Sequence, residues 1–182
     1  MASGVGAGVA AALVANAAAS IAAAAAAGPA YVVHGAETSC SCGLRNSHVV
    51  VPISHGVFIH DIAQLNVFDF KPYINIQIFG GCTSPENPSV QAAAAAAVKA
   101  VNSKPKGFFE KVVSFFCGSS DEAADDSFVS QCAGVCTPII LAPWDNGKET
   151  VQLEGFNPLL STGTLTCLYA GAIKLESTGQ PE

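Results

Sequence analysis

Charge is scarce in this chain. Only 12% of its 182 residues are Asp, Glu, Lys or Arg, about half the ~25% usual for globular proteins. Lys and Arg number eight against a net charge of −6, and no basic run carries interleaved aromatics. That balance excludes phosphate neutralisation as a main task and gives nucleic-acid binding no support. There is no HExxH, GxSxG or P-loop motif to carry catalysis. There is also no CxxC, so a thioredoxin-type redox site is excluded. No Lys or Arg precedes Arg45, so the basic region that opens a secretory signal is missing.

Alanine and cysteine are plentiful instead. Residues 2–30 hold no charged side chain and consist mostly of Ala, Gly and Val, with Asn16 and Ser20 inside the run. A segment of about 20 apolar residues can span a membrane, but alanine is only marginally hydrophobic. Small side chains suit close packing against another chain, and a packed helix or tail is the preferred reading over a membrane anchor. Domain boundaries follow: an Ala-rich segment over 1–30 and one domain over 31–182, with an insertion over 103–131.

Beyond residue 31 short apolar runs alternate with Gly, Pro, Asn and Ser, which predicts a mainly β body with tight turns. Strands are expected over 31–33, 48–53, 57–59, 139–141, 150–153, 165–169 and 172–175. The clearest is 73–79, where Ile74, Ile76 and Ile78 alternate with Asn75 and Gln77; period two places the isoleucines on one buried face. Two short helices interrupt the body. Asn87 caps one that begins at Pro88 and runs to Val101, with Lys99 in its last turn. A second is expected over 107–117, with Phe108, Val112, Phe115 and Phe116 as a core-facing stripe. Asp121, Glu122, Asp125 and Asp126 read as a solvated loop.

Seven cysteines stand at positions 40, 42, 82, 117, 132, 136 and 167. Four of them, Cys40, Cys82, Cys136 and Cys167, occupy similar stations: one Cys beside Gly, Ser, Thr or Pro, next to an apolar strand. Four converging thiolates make a closed tetrahedral zinc site that pins remote loops and leaves no position for a reacting water. Buried thiols or two disulfides account for the same residues equally well from spacing alone. His48, His55 and His60 cluster in the strand-rich region. His55 and His60 could complete a mixed Cys/His site, and with Asp61 and Asp69 a hydrolytic zinc centre is conceivable, although a His near a turn is more often a hydrogen-bonded residue. His34 reads as structural.

The order of motifs resembles the PAAR-like family. It starts with His34-Gly35-Ala36 and Cys40-Ser41, then Asn75-Ile76, Phe79-Gly80-Gly81-Cys82 and Asn87-Pro88. An Ala-rich helix, Cys136-Thr137-Pro138 and Pro143-Trp144 come next, and Cys167, Gly171 and Gly179-Gln180 close the pattern. The resemblance spans His34 to Gln180. It implies a non-enzymatic, β-rich cone that caps a trimeric VgrG-like spike in a contractile injection system, of type VI or extracellular phage-tail-like kind. It further implies a structural zinc near the tip, effector cargo as a second partner, and assembly in the bacterial cytoplasm before outward firing, with membrane contact only during injection. PAAR proteins hold zinc usually through three His and one Cys; here the Pro-Ala-Ala-Arg signature is absent and the stations are cysteines. Cys40, Cys82, Cys136 and Cys167 match the family positions, while Cys42, Cys117 and Cys132 are additions. The rival readings are a secreted disulfide-bonded or membrane-tethered structural or toxin-delivery module, and a zinc hydrolase.

Overall fold

The structure is a computed structural model and describes residues 28–102, 129 and 131–181. The expected second helix over 107–117, the acidic loop and nearly all of the Ala-rich segment lie outside the described residues. From Tyr31 onward the chain forms one compact unit.

That unit is mainly β, as its alternation of short apolar runs and turn residues predicts. A four-stranded antiparallel sheet has the order β2-β1-β8-β7, where β1 is Glu37–Cys40, β2 Ser47–His48, β7 Thr164–Thr166 and β8 Ala172–Leu175. The hairpin partners β7 and β8 pair Leu165 with Ile173, and β1 pairs Cys40 with the same Ile173. A small hairpin joins β3 (Phe58–Ile59) to β4 (Ile62–Ala63), and a third pairing joins β5 (Gly81–Cys82) to β6 (Gly134–Val135). Isolated bridges stitch the long loops between these pieces. Short strands cannot bury much area singly, so the core is assembled from all of them: Val32, Leu65, Ile76, Phe79, Leu159 and Ile173 are fully buried or nearly so. Each such side chain contributes roughly 1.5–3 kcal/mol.

The helix α1, Pro88–Asn102, forms where its sequence signals place it. Asn87 Oδ1 accepts from the Ser89 amide at 3.0 Å, and the Asn87 carbonyl accepts from Val90 at 2.9 Å. The Asn87 amide group also donates to the Val135 carbonyl at 3.0 Å, tying the cap to β6. Gly134 permits this approach, because a Cβ there would stand 2.6 Å from the Val90 backbone nitrogen.

The expected strand over 73–79 is not formed. The Lys71 carbonyl accepts from the amides of Ile74, Asn75 and Ile76, curling the chain into a turn with Tyr73 at φ 64°. Ile76 is buried, but Ile74 and Ile78 are exposed, and Asn75 is buried with its Nδ2 on the Val50 carbonyl. Alternation therefore did not mark a pleated face here. The expected strand over 48–53 likewise shortens to Ser47–His48 plus a bridge at Val49, because Pro52 and the turn after it end the pairing.

Candidate metal centre

The strand pairings bring the four cysteine stations together. Cys40 ends β1 and is in register with Ile173 of β8; Cys167 directly follows β7, two residues after Leu165. Cys82 lies in β5, and Cys136 directly follows its partner β6. A bridge from Gly43 to Cys82 ties the turn after β1 to β5, and one from Ile140 to Cys167 closes the other side. Cysteines up to 127 positions apart in sequence thus line one cavity of about 10 Å³, room for about one water molecule.

Five thiols face that cavity, not four. Cys40, Cys82, Cys136 and Cys167 are joined by Cys42, with Phe79, Pro138 and Ile173 among the apolar residues that complete the wall. Cys82, Cys136 and Cys167 are buried; Cys40 and Cys42, on one turn, are half-buried. None of the five is in a disulfide. The resemblance set Cys42 aside as an addition, yet the Cys40-Ser41-Cys42 spacing was itself a signal, since a tight turn turns both side chains toward the same neighbour.

Backbone amides point at three of these sulfurs. The Ser84 amide meets Cys82 Sγ at 3.5 Å, the Cys42 amide bonds to Cys40, and the Phe79 amide bonds to Cys136. In two cases the donor lies two residues after the cysteine. Such donors favour thiolate over thiol and orient the sulfur. They do not win alone. Burial pushes the Cys40 thiol up to about 11, opposed by the Cys42 amide and reinforced by the charges of Cys42, Cys167 and Cys136. Burial likewise raises Cys136, against the Phe79 amide and with Cys82 and Cys167 adding repulsion. Crowded thiolates repel one another; a divalent cation among them reverses that electrostatics and deprotonates them. Among the described residues no group of three or more His, Cys, Asp or Glu side chains is placed so that it could hold a metal ion as it stands. The chemistry of the lining, sulfur side chains with amide donors to three of them and an apolar wall, is of the kind that soft or borderline ions take, while the spacing of the groups is not that of a bound site.

The histidines are elsewhere. His55 does not line the thiol cavity; its Nδ1 meets Glu154 at 2.7 Å and its Nε2 meets Asp69 at 2.9 Å. Both ring nitrogens are thereby engaged, which corrects the expectation that His55 might complete a Cys/His site. Burial disfavours its charged form, but the bonds to Asp69 and Glu154 outweigh this and its pKa is raised. Asp69 is a buried hub that also accepts from the Asn66 amide at 2.8 Å. His48 Nδ1 lies against the Gly35 carbonyl, and His60 sits at positive φ in the β3–β4 turn with Asp61, so neither reaches the cysteines. His34 is structural as expected, with Nδ1 accepting from the Val51 amide at 3.0 Å.

Fold and site together define a small mainly-β protein whose loops converge on a thiol-lined cavity. Residues 32–180 match the family described as a domain of unknown function, DUF4280, and the chain belongs to that family. Comparison with curated proteins and with solved structures found no match.

Proposed function

We propose that this protein is a non-enzymatic, PAAR-like cap on the trimeric spike of a contractile injection system, pinned by a structural zinc held by Cys40, Cys82, Cys136 and Cys167. The observation that carries this reading is the convergence of four remote cysteine stations on one cavity of atomic size, each station being one that the PAAR-like pattern matches. The family match over 32–180 covers nearly the same span as that pattern. Bound zinc supplies strong local bonds between segments whose strands are only two to four residues long. The residues do the rest: the amides of Cys42, Ser84 and Phe79 orient sulfurs, and Phe79, Pro138 and Ile173 exclude water. A site with all positions filled by sulfur holds rather than reacts.

A group of exposed apolar side chains also supports the reading. Ile53, Phe68, Ile74 and Phe156 are all 40% exposed or more, and they gather around a second concavity of about 280 Å³. Phe68 and Phe156 stack with ring centroids 4.1 Å apart. Exposed apolar side chains gathered around a cleft, here with His55, Lys71 and Glu154 also in its lining, mark protein contact sites. The disulfide-bonded alternative has less support, since the five cavity cysteines are thiols. For the membrane-tethered alternative, no helix among the described residues is long and apolar enough to cross a membrane; the Ala-rich segment on which it rests lies outside them.

One chain on a threefold axis must present three different faces to three identical subunits. Native mass spectrometry of the complex with a trimeric spike is expected to give one copy per trimer. Three copies per trimer, or a homodimer with no affinity for the spike, would contradict the proposal.

A further inference from the structure

In the cleft of about 280 Å³, His55 links two walls. One wall is the loop that carries Asp69. The other is a two-residue turn over 153–156, in which the Leu153 amide donates to the Phe156 carbonyl at 2.7 Å and the Phe156 amide donates back at 3.2 Å. Glu154 and Gly155 in that turn both have positive φ, 52° and 84°, a region that suits glycine far better than glutamate. His55 Nδ1 lies 2.7 Å from Glu154 Oε2, while Nε2 lies 2.9 Å from Asp69 Oδ2 and 3.2 Å from Oδ1. Ionised carboxylates only accept, so these contacts need an N–H on both ring nitrogens, and only the imidazolium has two. The two carboxylates differ in freedom. Asp69 is buried and fixed: Oδ2 accepts from the Asn66 amide at 2.8 Å, Oδ1 from Asn75 Nδ2 at 3.5 Å, and its carbonyl from Trp144 Nε1 at 3.1 Å. The Glu154 side chain is 58% exposed on the turn, with His55 as its partner.

We propose that His55 is a proton-operated latch on the 153–156 turn: as imidazolium it ties Glu154 to Asp69, and as neutral imidazole it keeps Asp69 and releases Glu154. The proton that leaves is the one on Nδ1, because Nε2 faces both oxygens of the carboxylate that cannot move. Asn66 Nδ2, 3.4 Å from Nε2, would suit the other tautomer, but the Asp69 oxygens stand closer. Lys71 is the remaining charged residue in the lining; the 71–76 turn otherwise supplies Ile74 and Asn75, and the segment before His55 supplies Pro52 and Ile53. Burial works against the imidazolium, yet the bonds to Asp69 and Glu154 raise its pKa above the ordinary 6.5, so release comes as pH rises through that raised value. Phe156, two residues after Glu154, then loses the tether that keeps it beside Phe68, 4.1 Å away between ring centroids. A protein partner seated on these two rings would meet a firm wall in mildly acidic solution and a loosened one above neutrality. None of the five cavity cysteines lines this cleft, so the latch is independent of any metal.

The test is a pH titration of the full ¹⁵N-labelled chain by NMR. Long-range spectra of the His55 ring are expected to show both nitrogens protonated at low pH and the Nε2–H tautomer at high pH. Protection of the Leu153 and Phe156 amides against hydrogen exchange, corrected for its intrinsic pH dependence, should fall several-fold through the same midpoint. An Nδ1–H tautomer in the neutral form, or protection that stays constant while His55 titrates, would overturn the latch. Glu154→Ala, at an exposed position, gives the second reading: His55 should titrate at lower pH, and the turn should show the low protection at every pH. A turn that still tightens on acidification in Glu154→Ala would equally overturn the proposal.

Discussion

Gly171 lies against the sulfur of Cys40 so closely that a methyl group at 171 would come within 2.9 Å of it. The residue is therefore part of the wall that fixes where Cys40 points. Gly171→Ala must push the sulfur, or the strand carrying it, by several tenths of an ångström. We expect roughly tenfold weaker zinc retention, the lower end of the effect of disturbing the groups around a metal's ligands. Competition against a chromophoric chelator measures it. Unchanged zinc affinity in a folded Gly171→Ala protein would show that Cys40 is not held in place there.

Removal of one of the buried thiols has a larger effect. Cys82 and Cys167 stand on segments 85 residues apart, so losing either disconnects distant loops. Cys82→Ser or Cys167→Ser should release the ion and lower the thermal midpoint. Chelator treatment of the wild type should lower the midpoint by a comparable amount, and should have little further effect on the variants. A chelator that lowers all three midpoints equally would point to a different origin of the stabilisation.

His55 links two carboxylates and gives a pH dependence of defined sign. Its pKa is raised above the ordinary 6.5, so its contribution is fully present below that value and is lost as pH rises through the raised folded pKa. The stability gap between wild type and His55→Gln should therefore be largest in mildly acidic buffer. It should narrow as the pH rises past neutrality. Denaturant unfolding at a series of pH values measures it, and a gap that widens with rising pH would contradict the assignment.

Asn87 caps α1 and also holds β6, which leads into Cys136. Asn87→Ala removes both contacts. A loss of about 1–2 kcal/mol in urea unfolding is expected, at the upper end for a helix cap because the Val135 carbonyl is left without the Asn87 donor. A loss near zero would mean that the helix start is held by Ser89 and packing alone.

Local signals carried much of this molecule. Asn87-Pro88 followed by alanines specified α1 to within a residue; of the strands expected over 165–169 and 172–175, the second is β8 and the first is the shorter β7, Thr164–Thr166. The four cysteine stations were legible as a recurring neighbourhood, and they do line one cavity. What was not legible depended on remote partners. Ile74, Ile76 and Ile78 alternate as a strand would, but the Lys71 carbonyl gathers three amides and Asn75 is buried by a bond to Val50. Nothing near His55 announced Glu154, 99 residues away, so its acidic partners were sought among its sequence neighbours. Cys42 was discounted because the family pattern did not include it, although its spacing from Cys40 placed it on the same turn.

The central claim is that the cavity thiols hold a metal ion, and the mass of the intact native chain tests it most directly. The account predicts one zinc per chain, with four of the cavity cysteines resistant to alkylation until a chelator is added. A metal-free chain, purified without chelator, whose cavity cysteines are joined in disulfides or all alkylate at once would contradict it.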